Sequence, residues 1–278
     1  MNIIKPTFLI KLKGQDEFDI HERLPSLQYL GGDSTPVFNN AYQDDALRDG
    51  SRFTGTTFGK STFTANFVLH SQDNNDQKLL RHEIFQLFGD RELARIRTNI
   101  DFEKVMYVRP NSFDINYIAD GSVDSMFSIP FDIVTGYKYS RVRSDVIDMD
   151  HTSFGMNFKL TDTPVYKQTA NKFKIYNPSD IAIDPYYQRH DLLLLIKFSG
   201  SSYQITNQTN GTSYKYNKAI SGSDQLILNG LATTLNGAPA SQNSDFGYIK
   251  LEKGWNDITV SGATSHETTF SFPFIYID

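Results

Sequence analysis

What most limits the folding of this chain is a two-residue rhythm that returns along its length. Bulky apolar residues alternate with small or polar ones over residues 63–69, 113–118 and 125–133. Successive side chains of a strand point to opposite faces, so each run would bury one face and wet the other. Residues 8–12, 18–20 and 104–108 are further strand-sized runs. The run at 104–108 stops before Pro110, which cannot donate to a ladder. With a turn at Ala119-Asp120-Gly121-Ser122, the three runs between 104 and 133 read as an antiparallel meander.

The second half is punctuated more tightly. Asn210-Gly211, Asn229-Gly230 and Asn236-Gly237 favour positive φ and therefore sharp turns. Around them lie strand-sized runs at 202–206, 213–216, 225–228, 248–251, 257–260 and 269–272. Many short strands with close turns predict a β-sandwich. One segment breaks the rhythm. Leu80, Ile84, Leu87 and Phe88 fall on one helical face, with Asp73, Asn74 and Asn75 available as N-caps and Gly89 as a C′ residue. The expected fold class is thus mainly β: two β-sandwich-type domains, the first carrying one α-helix over 75–88.

Composition removes whole classes of function. The 278 residues include no cysteine, which excludes disulfides, thiolate metal sites and thiol catalysis. A net charge of −5 argues against a general nucleic-acid binder. The longest apolar run, 192–196, is far short of the roughly 20 residues that span a bilayer. Met1 to Pro6 shows no leader-peptide core, so synthesis and folding in a cytoplasm are expected. No phosphate-binding loop, dinucleotide fingerprint, nucleophile elbow or HExxH pattern occurs, and the six histidines are scattered. Asp44, Asp45 and Asp49 read as a solvated loop, and Asp184 stands beside Pro185. No catalytic residue, cofactor or metal site is predicted.

Two groups of residues remain as candidates for contact. Ten arginines lie within residues 1–149, and Arg189 alone follows. Arginine presents a rigid fork of donors and is favoured at interfaces. Arg48, Arg52, Arg95 and Arg97 sit beside apolar strand positions and are the interface candidates. Tyr186, Tyr187 and Trp255 could meet a saccharide or a partner, because their rings join an apolar body to a polar tip. A polar stretch over 143–151 suggests a boundary, giving domains 1–148 and 149–278.

The order of these features resembles a known family. The pieces are residues 173–179, 205–211 and 248–254, then Leu251, Gly254, Asn256, Ile258 and Val260 in an L-x-x-G-x-N-x-I-x-V spacing, and finally 270–276. The helix from Asn75 followed by Leu93-Ala94-Arg95-Ile96 completes the pattern. Together they resemble the distal tail protein of long non-contractile-tailed phages that infect Gram-positive bacteria. The resemblance implies an N-terminal ring (belt) domain and a C-terminal galectin-like jelly-roll sandwich. It implies a virion location at the distal end of the tail. It also implies a six-fold ring of copies, with a channel for DNA, that joins the tail tube protein to the tail-tip (tail-associated) protein and to receptor-binding or other baseplate proteins. Arg48, Arg52, Arg95 and Arg97 then become ring-contact candidates. Neither membrane association nor specific nucleic-acid binding is expected. The alternative is a carbohydrate-binding baseplate or adhesion module that recognises host wall saccharide through Tyr186, Tyr187 or Trp255.

Overall fold

The computed structural model describes residues 5–152, 154–159 and 163–277. The first four residues, where the leader was sought, lie outside that set. Two compact units emerge: Met1–Lys138 with Ile277–Asp278, and Tyr139–Tyr276. The fold is mainly β, as the alternation predicts.

The first unit is built on one antiparallel sheet. Its elements are β1 (Phe8–Lys11), β2 (Phe18–Asp19), a one-turn helix α1 (Ile20–Arg23), β3 (Leu27–Asp44), β4 (Ser51–Leu69), α2 (Asn74–Phe88), β5 (Ala94–Thr98), β6 (Lys104–Pro110) and β7 (Ser125–Ile133). The strands run in the order β2-β1-β5-β6-β7-β4-β3. Phe8, Phe67, Phe127 and Phe131 project from this sheet into a core that also takes Ile84, Leu87 and Phe88 from α2. Phe88 meets Phe131 edge-on at 5.5 Å between centroids. Asp73 caps α2 by accepting from the amides of Asn75 and Asp76.

The sequence misjudged three details here. Residues 113–118 are not a strand, and β6 pairs directly with β7. Their alternation instead tucks Phe113 against Phe85 and Phe127 while burying Ile115. The segment therefore packs on α2 and the sheet face without joining a ladder, apart from a bridge between Tyr117 and Ser125. Ile20 opens α1 and does not extend β2. Gly89 caps α2 with φ −78°, not in the left-handed region. Glycine is needed there because a Cβ would come within 2.6 Å of the Phe85 carbonyl oxygen.

The second unit begins at Tyr139 within β8 (Lys138–Ser140) and contains β9 (Lys167–Gln168), β10 (Lys172–Asn177), β11 (Leu193–Asn207), β12 (Ser213–Tyr216), β13 (Leu226–Asn229), β14 (Ala232–Leu235), β15 (Ala238–Pro239), β16 (Gly254–Ser271) and β17 (Ile275–Tyr276). The two long strands β11 and β16 pair along their lengths, with register shifts around Gly200. At Gly200 (φ +140°) a Cβ would come within 3.1 Å of the Ala263 and Thr264 backbone, and glycine adopts the positive φ that the shift in register requires. One half of the pair joins β13 and β9, and the other joins β10 and β12. Side chains from the two halves meet between them. Tyr203 Oη lies 2.8 Å from Thr268 Oγ1, and Tyr214 Oη lies 3.1 Å from Thr233 Oγ1. This is the two-layered packing of a sandwich made by bent strands.

The L-x-x-G-x-N spacing has a clear physical role. Asn256 is fully buried at the start of β16. Its Nδ2 donates to the carbonyls of Glu252 (2.8 Å) and Gly254 (3.1 Å), and its Oδ1 accepts from the Glu252 amide (2.8 Å) and Asn207 Nδ2 (2.9 Å). Gly254 turns the chain at φ +86°. Residues 248–251 are not a strand, however. Leu251 makes a bridge to Ile183, and Asn207 Nδ2 claims the Lys250 carbonyl.

Candidate functional site

The clearest unfinished surface is a hairpin that the sequence reading missed. Strand β4 has β7 as its second neighbour only from Ser61 to Leu69. From there to their tip, β3 and β4 pair only with each other among the described residues. Residues 36–44 would extend about 30 Å at 3.4 Å per residue. The result is a two-stranded arm, most of it exposed.

The arm has two unlike faces. Phe38 is paired with Phe58, Asn40 with Thr56 and Tyr42 with Phe53. A register shift between Ala41 and Tyr42 keeps Tyr42 and Phe53 on the same side, with their centroids 6.0 Å apart. Phe38 and Phe58 are 5.6 Å apart. Between the two aromatic pairs Thr56 Oγ1 donates to Asn40 Oδ1 at 2.7 Å. The opposite face carries Val37, Asn39, Ala41, Gly55, Thr57 and Gly59. Aromatic side chains thus collect on one face, and Phe38, Tyr42 and Phe53 remain 54%, 61% and 57% exposed.

The base of the arm is fixed. Phe58 packs on Tyr137 at 5.4 Å. Lys60 pairs with Asp132, which also accepts from Asn111 Nδ2 at 2.7 Å. These bonds, the one from Lys60 foremost, hold the Asp132 carboxyl below the usual range. Gly136 (φ +74°) closes the turn after β7 so near the Gly59 carbonyl that a Cβ would stand 2.3 Å from its oxygen. At the tip Ser51 Oγ donates to Asp44 Oδ1 (2.6 Å), and Leu47 is fully exposed with φ +66°. The signal for the arm was present in the Thr-rich stretch of residues 54–64, but the Thr, Gly and Ser around Phe58 and Phe63 carry no core signature.

The four candidate arginines fall into two settings. Arg48 and Arg52 lie at the exposed tip, with no ion pair among the described residues. Arg95 and Arg97 lie side by side with Glu17. Arg95 Nη2 donates to Glu17 Oε2 at 2.7 Å and Arg97 Nε to Glu17 Oε1 at 2.8 Å. Arg97 is 6% exposed, donates to the Phe102 carbonyl and lies 3.9 Å over the Phe102 ring. Burial pushes the Glu17 carboxyl up, but the bonds and charges of the two arginines outweigh it and hold it below the ordinary value.

The aromatic candidates of the second unit are not one site. Trp255 rests on Tyr176 across the β10–β16 ladder, centroids 4.9 Å apart. Tyr186 and Tyr187 instead cluster with Tyr248. Among the described residues, no group of three or more histidine, aspartate or glutamate side chains is placed to hold a metal ion. No described helix is long and apolar enough to cross a membrane.

Residues 14–133 match the family model for the phage tail protein RIFT-related domain, a span that includes the arm and α2. A comparison with curated protein sequences finds no match. Among solved structures, the SPP1 Dit (gp 19.1) protein is similar, with TM-score 0.68 and 9% identity over 96% of this chain and 99% of that one. That protein is described as a paradigm of the hub adsorption apparatus in phages infecting Gram-positive bacteria. A chain of the phage p2 baseplate in its activated conformation aligns over 96% of this chain and 97% of that one, with TM-score 0.47 and 11% identity. Residues 14–133, within the first unit, thus match the phage tail protein RIFT-related domain, and the likeness of the whole chain to SPP1 Dit is one of fold, in line with the resemblance to phage distal tail proteins.

Proposed function

We propose that this chain is a structural hub protein of the phage tail tip, whose copies close into a ring, six-fold by the family resemblance. In this reading residues 1–148 form the ring domain and 149–278 a galectin-like domain. The ring joins the tail tube protein to the tail-tip protein, leaves a channel for DNA, and offers its outer domains to receptor-binding or other baseplate proteins. It resides at the distal end of the virion tail after synthesis in the host cytoplasm, and it catalyses no reaction.

The observation that carries the proposal is the aromatic face of the β3–β4 arm. A lone two-stranded hairpin is at best marginally stable in water. One that also leaves three aromatic rings more than half exposed gains by burying them against another molecule. A closed ring requires two different, complementary patches on every subunit, so that each copy gives one and receives the other. The arm supplies the donated patch, with Arg48 and Arg52 at its tip free to pair across the contact. Arg95 and Arg97, engaged within the subunit by Glu17, brace the end of the sheet opposite the arm. A net-negative subunit suits a channel that must release DNA.

Light scattering of the purified chain tests this reading. The expected mass is about 190 kDa for a six-membered ring, reached in a closed rather than open-ended series. A chain that stays monomeric at every concentration, alone and with the tail tube protein, contradicts it.

A further inference from the structure

Away from the arm, the second unit exposes a corner of tyrosines on an unusually fixed loop. Asp184 is buried and precedes Pro185. Its Oδ1 accepts from the amides of Tyr186 (3.0 Å) and Tyr187 (2.9 Å), a side-chain-closed turn of the kind Asp-Pro sequences favour. The His190 amide then donates back to the Asp184 carbonyl at 3.1 Å, and the Asp184 amide donates to His190 Nδ1 at 3.2 Å. Arg189 takes φ +55° to complete the loop. Five residues between two anchored ones thus have little freedom left.

The loop holds two rings clear of the surface. Tyr186 stacks on Tyr248, centroids 5.1 Å apart and planes 15° apart. Tyr187 stands at 89° to Tyr186, 4.8 Å away, and is 75% exposed. The polar groups around the corner are also fixed. Lys250 is held by Glu252 at 2.9 Å, and Asn210 Nδ2 donates to the Lys250 carbonyl at 3.0 Å. Burial and the nearby charge of Asp184 both raise the Tyr248 phenol above its ordinary value, which places the carboxylate close to that ring. Asp184 Oδ2 accepts no hydrogen bond from the described residues.

We propose that this corner of Tyr186, Tyr187 and Tyr248, with Asp184 and Lys250 at its edge, is a binding site for a pyranose saccharide. A pyranose presents a flat face of polarised C–H groups and a rim of hydroxyls. The face matches the negative π surface of an exposed ring. The hydroxyls match a carboxylate oxygen with acceptor capacity to spare and an ammonium with donors to spare. A docked protein would call for a wider apolar patch than two exposed rings, whereas the charged rim here begins directly beside them. The fixed loop lowers the ordering cost that a weak ligand must overcome. The assignment does not depend on ring formation, since every group belongs to one unit of one subunit.

Saturation-transfer NMR on the full chain tests it, with cellotriose, maltotriose and triacetylchitotriose as probes. At least one should bind saturably, with a dissociation constant of about 1–10 mM for so open a site. Tyr187→Ala should weaken that binding about ten-fold or more while the melting temperature stays unchanged. Asp184→Asn keeps the Oδ1 acceptor that closes the turn, and it should weaken binding without releasing the loop. Absence of transfer from all three sugars overturns the proposal, even if a protein is later found on this face. Binding that survives Tyr187→Ala undiminished overturns it too.

Discussion

Truncating one ring of the arm separates assembly from folding. Phe53 is 57% exposed. A phenylalanine side chain carries about 200 Å² of surface, so about 110 Å² remains for a partner to cover. At about 25 cal/mol per Å² this contributes about 3 kcal/mol to association. Phe53→Ala should therefore weaken each subunit contact about 100-fold, since each 1.4 kcal/mol is a factor of ten. Inside the subunit the loss is smaller. Its ring contact is with Tyr42 at 6.0 Å, and such pairs contribute about 1 kcal/mol. Sedimentation velocity across a concentration series reads the first effect, and urea unfolding of the dilute monomer reads the second. Thr57→Ser, on the opposite face of the same arm, is the control and should leave assembly unchanged. The reasoning is refuted if Phe53→Ala assembles over the same concentrations as the parent chain, or if Thr57→Ser disrupts assembly equally.

Other consequences follow from single residues. Glu17→Gln leaves Arg95 and Arg97 without their shared counter-charge and should cost about 3 kcal/mol of urea stability at pH 7. The Glu17 carboxyl titrates below its unfolded value of 4.5, so its contribution is present above that pH and is lost as pH falls through the folded value. The gap between parent and Glu17→Gln should accordingly close in acid, and a gap that widens there contradicts the assignment. Asn256→Ala should destabilise the second unit by about 3 kcal/mol, because two carbonyls, an amide and Asn207 lose a buried partner together; calorimetry that shows no loss would be evidence against that role. Leu47→Gly should raise monomer stability by about 1 kcal/mol by relieving a left-handed conformation at a side chain fully exposed to solvent, measured by the same urea titration.

The sequence was informative where one residue type answered one local need. Asp73 and the Leu80-Ile84-Leu87-Phe88 stripe marked α2 because capping and face burial are short-range. Asn256 and Gly254 were marked by the family spacing, and the structure supplies the reason: a buried amide and a positive φ admit few substitutes. Alternation alone proved ambiguous. Phe113 and Ile115 alternate like a strand, yet they serve to pack a crossing segment on α2 and the sheet. The arm escaped notice for the converse reason. Residues 36–58 bury little within this subunit, so no continuous apolar face appears in the sequence to announce it. The arginines show the same limit. Composition singled out four, but only tertiary structure separates Arg97, buried on Glu17 and Phe102, from Arg48 and Arg52 at the exposed tip.

Electron microscopy of the purified chain addresses the central claim most directly. The account predicts closed rings with a central hole, each arm lying against the next copy with Phe38, Tyr42 and Phe53 covered. Rings in which the arms point into solvent, or isolated subunits at all concentrations, would contradict it.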